Sequence, residues 1–508
     1  MAINQLKAGA FLSYISIILN NIIGLLYMPF MLRMMGQNEY GLYSLVASVV
    51  AYLTVLDLGF ANAIVRYTAK FRSEHKINEQ YEMFGMFFIL YCVIGFLALL
   101  IGLCLYANID ILFSTTMNDK ELEQIRIMML LMVFNIAFTF PMSIWGAIIT
   151  AYEDFIFQRL VNIARIILNP IIMIILLYIG YKAIAMVVVI TLFNITTLCI
   201  NAWYCHNKLH IKVKFARFKW KFLKEVTLYS FWIFLNAIID RIYWSTGQFV
   251  LGMYAGATAI AIYAVAIQME HIFISFSTAI SGVFLPKVTA MITKEQNEKI
   301  ISDLFIRTGR IQYLIVSFIL VSFIIFGKQF ITLWAGSNYE EAYIISLLFF
   351  IPLTVPSIQN LGFIILQARN QMKFRSILYI IIALCSLVIS IPLAKSYGGI
   401  GCAIGTSISL ILGQIIAMNI YYYKKLNINI PLFWREITKL SIIPIILGII
   451  GWYGLQFINI NDIFSLLGFI ILFTIIYLPL IWTSGMNNYE KKLIITPISQ
   501  IYHKMIKG

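Results

Sequence analysis

Residues 160–203 read LVNIARIILNPIIMIILLYIGYKAIAMVVVITLFNITTLCINAW, and among them only Arg165 and Lys182 carry charge. A helix needs about 20 apolar residues to cross about 30 Å of hydrocarbon. Two runs of that length flank the turn Gly180-Tyr181-Lys182, so the stretch reads as two membrane-crossing helices joined tightly. The pattern fills the chain: fourteen such runs follow one another, the first at 8–30 and the last at 463–483. The 508 residues are 61% hydrophobic and 12% charged, with a mean hydropathy of +0.89. Soluble domains carry about 25% charged residues, so a secreted enzyme, a cytosolic domain and a disordered scaffold are all excluded. The first run is too long for a signal-peptide core and has no A-x-A site before the next run, so it is expected to remain.

The excess of 37 Lys and Arg over 22 Asp and Glu is a statement about topology, because cytoplasmic loops gather basic residues. Assigned to alternate loops, 29 of the 37 fall on the side of the N-terminus, 6 on the opposite side, and Arg165 and Arg241 inside spans. Both termini are therefore expected in the cytoplasm of a bacterial cell, with the chain in the inner membrane. Outer loops are short, the longest at about 107–124, which leaves no room for an external folded domain. The basic stretch 204–226 is a topogenic linker or a contact for anionic lipid heads.

The halves repeat. Leu19-Asn20, Ile22-Ile23 and Tyr27 match Leu235-Asn236, Ile238-Ile239 and Tyr243; Thr139, Pro141, Gly146 and Arg159 match Thr354, Pro356, Gly362 and Arg375; Tyr204 with Lys208-Leu209 matches Tyr421 with Lys425-Leu426. Offsets fall between 215 and 217 residues. A unit of six spans begins and ends on one side of the membrane, so its copies share an orientation and are related by an axis along the membrane normal. The expected fold class is all-α integral membrane: fourteen transmembrane helices as two six-helix bundles related by a pseudo-two-fold, plus two appended helices. The expected segments are 1–206 (first bundle), 207–226 (basic cytoplasmic linker), 227–425 (second bundle) and 426–508 (helices 13 and 14 and a cytoplasmic tail).

Ionisable groups in the bilayer centre cost at least ~2.5–3.5 kcal/mol and so face a cavity or a partner. Arg165 and Arg241, with Arg66 at the rim, have the planar fork that grips phosphate oxygens. Asn20 and Asn236 sit where they would hydrogen-bond sugars or glue helices. Asp57, Asp240, Glu270 and His271 are candidates for coupling to H+ or Na+, or for interhelical ion pairs with the arginines. Pro141, Pro170, Pro352, Pro356 and Pro392 predict kinks. The six cysteines lack C-x-x-C pairing and read as small apolar fillers. No P-loop, nucleophile elbow, Rossmann fingerprint or metal-ligand cluster occurs, Cys205-His206 with His210 being too weak a patch. No enzyme activity, cofactor, metal or nucleic-acid partner is expected.

From Asn20 through PFMLRMMGQNEYGLYSLVASV (29–49) to VLDLGFANAIVRY (55–67), and again at Asp240-Arg241, LGMYAG, IAIYAVA and Phe284-Leu285-Pro286, the chain resembles the polysaccharide flippases of bacterial surface-glycan pathways. The likeness spans essentially the whole length and places the chain near the multidrug/oligosaccharidyl-lipid/polysaccharide exporters. What the resemblance implies is transfer of an undecaprenyl-diphosphate-linked oligosaccharide to the outer leaflet by alternating access, for O-antigen, capsule or exopolysaccharide. The partners are then the lipid-linked substrate, membrane lipids and a coupling ion. A cation-coupled multidrug antiporter of that superfamily is the alternative; such proteins rely on an intramembrane acid, often in the first helix, and span one has none. A lipid II flippase shares fourteen spans, while a membrane enzyme or scaffold explains neither the repeat nor the short outer loops.

Overall fold

A computed structural model of the chain describes residues 5–215, 220–281, 288, 291–292, 297–369, 371–458, 460–493 and 495–496. Among them the secondary structure is helical, without strands. Lipid offers the backbone no hydrogen bonds, so each apolar segment must satisfy its own amides and carbonyls. Twelve helices are long and apolar enough to cross a membrane, and the chain is a multi-pass membrane protein. The chain divides into two compact units, Met1–Ala264 with Leu387–Cys402, and Val265–Ser386 with Ala403–Gly508.

The first unit comprises α1 (Gln5–Met35), α2 (Gln37–Leu53), α3 (Phe60–Ser73), α4 (Ile77–Ala107), the short α5 (Ile109–Phe113), α6 (Asp119–Ala151), α7 (Phe155–Ile179), α8 (Ala183–Asn207), α9 (Trp220–Tyr254) and the start of α10 (Gly256–Ser281). Its core gathers Phe60, Phe84, Phe87, Tyr91, Ile144 and Ile148. Chain reversals follow local chemistry. Asn118 and Glu121 form a reciprocal capping box at the start of α6. Gly180, at φ 100°, ends α7 in the left-handed conformation that a Cβ disfavours.

The second unit holds the rest of α10, then α11 (Glu298–Trp334), α12 (Glu341–Ile358), α13 (Asn360–Ala368), most of α14 (Met372–Leu410), a π-helical segment Ile411–Ala417 running into α15 (Met418–Lys425), α16 (Ile430–Leu455) and α17 (Ile463–Leu480). Met372–Lys425, counted as one candidate span of 54 residues, reverses at Gly398 (φ 54°, ψ −131°). Ser390 Oγ then donates to the Cys402 carbonyl at 3.1 Å, and Ser386 and Thr406 hydroxyls meet at 3.2 Å across the two limbs. The outer faces of α16 and α17 leave Ile445, Ile449, Ile471 and Ile475 exposed, as lipid-facing helices should. Cysteine placement departs from the sequence reading: all six are free, but Cys92, Cys104, Cys199 and Cys385 are on the surface, and only Cys205 and Cys402 are buried. A thiol costs little on an apolar surface that meets lipid rather than water.

Local geometry recurs at a constant offset of 217 residues. Phe157 stacks on Tyr204 at 3.6 Å and 13°, and Phe374 stacks on Tyr421 at 4.0 Å and 4°. His210 and Asn427, neither a glycine, both take a left-handed φ, 51° and 52°. The amides of Ile211 and Ile428 then donate to the carbonyls of Cys205 and Tyr422 at 3.0 and 3.1 Å. Tyr152 and Asp154 donate to Ile148 and Ile149 just as Arg369 and Gln371 donate to Ile365 and Leu366.

The second unit also contains a buried ion network. Arg310, on α11, is 5% exposed; its Nε donates to Glu490 Oε1 at 2.6 Å, and its Nη1 to Glu436 Oε2 at 2.8 Å. Nη2 donates to Glu490 Oε2 at 3.1 Å and to the Gly485 carbonyl at 3.3 Å. Glu490, in the helical turn 488–493, and Glu436, on α16, thereby tie the C-terminal helices to α11. Removing one partner of a buried pair strands the other charge, at about 3–5 kcal/mol. Arg310→Met is expected to lower the thermal midpoint of the detergent-purified protein sharply. Adding Glu490→Gln to it should recover part of the loss; strictly additive losses in this double-mutant cycle would show that the pair is not coupled.

Candidate functional site

The apolar stretch VLDLGF interrupts its own helix. α2 ends at Leu53, Thr54–Asp57 tightens into a 3-10 turn, and Leu58 (φ 53°) and Gly59 (φ 72°) are both left-handed before α3 starts at Phe60. The sequence reading treated 41–65 as one uninterrupted span and measured Asp57 from Arg66 along it; the Asp-Leu-Gly turn breaks that path. Such breaks release backbone groups at membrane depth, where only a polar cavity or protein contacts can satisfy them. Asp57 takes up part of that demand. Its carboxylate accepts the Tyr91 hydroxyl of α4 at 2.7 Å and the backbone N–H of Gly59. Asp57 is thus a half-buried acid held in place by a fully buried tyrosine.

Three of the predicted cations lie in the same unit. Arg66 is exposed on α3, its guanidinium 5.7 Å from the Tyr67 ring centroid. Arg165 is half-buried on α7, and Arg241 is exposed on α9. Neither Arg165 nor Arg241 makes an ion pair among the described residues, so the interhelical pairing the sequence allowed is not seen there. Asn20 is exposed on α1, which packs along α7. The side chains of Asn236 and Asp240, both on α9, lie outside the described residues, as does Phe284-Leu285-Pro286.

In the second unit, Glu270 is wholly buried on α10, and both carboxylate oxygens lack a hydrogen-bond partner among the described residues. The Nδ1 of the exposed His271 lies 3.5 Å from Glu270 Oε2. A buried, unsatisfied acid is costly and marks a proton or cation exchange point more often than a packing residue. The weak metal patch is dismantled by the fold: Cys205 is buried with its Sγ toward the Trp145 carbonyl, while His206 and His210 are exposed.

Two polar features escaped the sequence reading. Arg310 was placed among cytoplasmic loop charges near the start of a span at 308, whereas α11 begins at Glu298 and buries it. Part of the basic linker is a fixed strap: the Lys214 N–H donates to the Tyr81 carbonyl at 3.1 Å, and its Nζ to Asn78 Oδ1 at 2.7 Å. In the strap Ile211 turns inward, 3% exposed, while Lys208, His210, Lys212 and Lys214 turn outward.

The chain matches the family described as polysaccharide biosynthesis protein over residues 6–292. It is 21% identical over 402 residues to a Shigella flexneri protein named "Putative O-antigen transporter", covering 77% of this chain and 92% of that one. Its fold is that of a solved lipid II flippase, MurJ, in an inward closed conformation, with a TM-score of 0.71 and 16% identity over 93% of this chain and 98% of that one. An inward-facing multidrug-resistance MATE transporter of the MOP superfamily aligns with a TM-score of 0.62 and 14% identity, covering 81% of this chain and 99% of that one.

The Asp57–Tyr91 hydrogen bond carries a direct expectation. A carboxylate left without its buried donor loses about 1–3 kcal/mol. Tyr91→Phe is expected to destabilise the protein by that amount in thermal or denaturant unfolding, and Asp57→Asn should make the Tyr91→Phe effect smaller.

Proposed function

The chain belongs to the polysaccharide biosynthesis protein family, and from that premise we propose that it is a flippase for undecaprenyl-diphosphate-linked oligosaccharide, moving the unit from the cytoplasmic to the outer leaflet for O-antigen, capsule or exopolysaccharide synthesis. The observation that carries this reading is Arg165: a guanidinium on a membrane helix with no ion-pair partner among the described residues. Arginine cannot shed its proton to relieve burial, so an anion must come from elsewhere, and a diphosphate supplies one in the geometry its fork fits. Arg241 adds a second unpaired fork and Arg66 a third cation toward the end of α3. Asn20 and Asn236 offer amides to sugar hydroxyls. The lipid tail stays in the bilayer while alternating access carries the head group.

The same reading takes the two limbs of Met372–Lys425 and α9 as separate crossings, which raises twelve candidate spans to fourteen. The recurrence at 217 residues supports two six-helix copies with a pseudo-two-fold along the membrane normal, divided as 1–206 and 227–425, with 207–226 as linker and 426–508 appended. The distribution of Lys and Arg supports cytoplasmic termini and an inner-membrane location. Among the acids, Glu270 is the strongest coupling candidate, with His271 beside it, and Asp57 and Asp240 follow.

One observation favours the antiporter alternative: an unsatisfied buried acid, Glu270, in a chain with a MATE-like fold. Deletion in the source bacterium separates the readings. The flippase is expected to show loss of surface polysaccharide with accumulation of the lipid-linked unit. Unchanged glycan with heightened sensitivity to cationic drugs would favour the antiporter.

Two substitutions test the residues. Hydrogen bonds to charged groups are worth about 1.5–3 kcal/mol, so Arg165→Gln should cut glycan export about tenfold or more, with Arg165→Lys intermediate. Full-rate export by both Arg165→Gln and Arg241→Ala would remove the cationic site. In proteoliposomes, Glu270→Gln should abolish the response to an imposed H+ or Na+ gradient, and a retained response would exclude Glu270 as the coupling group.

A further inference from the structure

A cleft of about 630 Å³ opens in the first unit where the start of α2, the start of α6 and the α7–α8 turn meet. Glu39, Gln124, Tyr181 and Lys182 provide its polar lining, and Leu176 and Val188 form part of an apolar wall. Glu39 is fixed from two sides: Gln124 Nε2 donates to its Oε1 at 2.9 Å, and the first amide of α8, Ala183 N–H, donates to its Oε2 at 3.3 Å. These neutral donors position the carboxylate without cancelling its charge. Lys182, next in sequence to that amide, is exposed. Among the described residues neither Glu39 nor Lys182 has an ion-pair partner, although both line one cleft.

Opposite charges that share a cleft without meeting fit a ligand that carries both. A simple anion on Lys182 would be repelled by Glu39, and a simple cation on Glu39 by Lys182. A dipolar head group relieves both, its ammonium on Glu39 and its phosphate on Lys182, with charge-assisted hydrogen bonds at each end. The apolar wall continues toward Tyr178 and Ile179, which are 71% and 66% exposed on a membrane helix. That flank suits an acyl chain and distinguishes a lipid from a small water-soluble zwitterion. Tyr178 and Tyr181 beside Lys182 have the amphipathic character of residues that settle at head-group level.

We propose that this cleft is a binding site for a zwitterionic phospholipid with a primary ammonium, of the phosphatidylethanolamine class. It goes beyond the flippase reading, holds a lipid that is not the cargo, and stands or falls independently of what is transported. The full-length protein, exchanged against equal amounts of phosphatidylethanolamine, phosphatidylcholine and phosphatidylglycerol, is analysed by native mass spectrometry for retained lipid. The unaltered chain should retain phosphatidylethanolamine in preference to the other two, since methylation removes the N–H donors and a glycerol head removes the cation. Glu39→Gln and Lys182→Gln should each reduce that preference about fivefold, the scale of one exposed ion pair. Lys182 is exposed and bonded to nothing described, so its variant tests the site even where Glu39→Gln weakens the start of α8. Equal retention of the three lipids by the unaltered chain, a preference for phosphatidylglycerol, or an undiminished preference in both variants would overturn the proposal.

Discussion

A backbone in hydrocarbon has no solvent to bond to, and that constraint organises the molecule. It makes each apolar run a helix, and it makes every departure from helix a place where side chains must supply what water cannot. The turn Thr54–Gly59 is such a departure, and the acid within it is met by Tyr91 rather than left bare. The reversal at Gly398 is another, with Ser386, Ser390 and Thr406 supplying hydroxyls between its limbs. Polar residues in the apolar spans thus divide into those that repair the backbone and those, such as Arg165 and Glu270, for which no repair role is evident.

The spans were legible because twenty consecutive apolar residues leave few alternatives, and the repeat because Tyr204, Lys208 and Leu209 recur in register as Tyr421, Lys425 and Leu426. Finer features depended on contacts distant in sequence. The break at Asp57 hides inside a run whose average hydropathy is that of a continuous helix. Arg310 looks like one more loop cation until Glu436 and Glu490 are brought to it from the C-terminal region. Arg165 was singled out from its position alone, and its lack of an ion-pair partner among the described residues keeps it a site candidate. Glu39 and Lys182 were read as loop charges, since nothing in sequence links the start of one helix to a turn more than a hundred residues later.

Where the two copies differ is as informative as where they agree. The loop after α6 places Asp154 where the second copy has Gln371, and only the first copy uses that position to accept a tyrosine hydroxyl, from Tyr204. The left-handed residue after the sixth span is His210 in one copy and Asn427 in the other, so the turn survives a change of side chain. Arg310 corresponds by the same offset to Val93, which places the ion network in the second unit alone. Backbone geometry is shared between the copies while charge is assigned to each separately.

The Arg310 network also sets a timetable for synthesis. Its acids follow it by 126 and 180 residues. At roughly 5–20 residues per second, a ribosome needs roughly 9–36 s to produce Glu490 after Arg310 has emerged. For that interval the nascent α11 carries a guanidinium whose counter-charges do not yet exist, and its long aliphatic stem must hold the head at the membrane surface. Closure of the network is therefore a late event, coinciding with the end of translation: a ribosome that stalls before Glu490 leaves an inserted protein with an open charge at its base, a feature by which membrane quality control can distinguish an unfinished chain from a finished one.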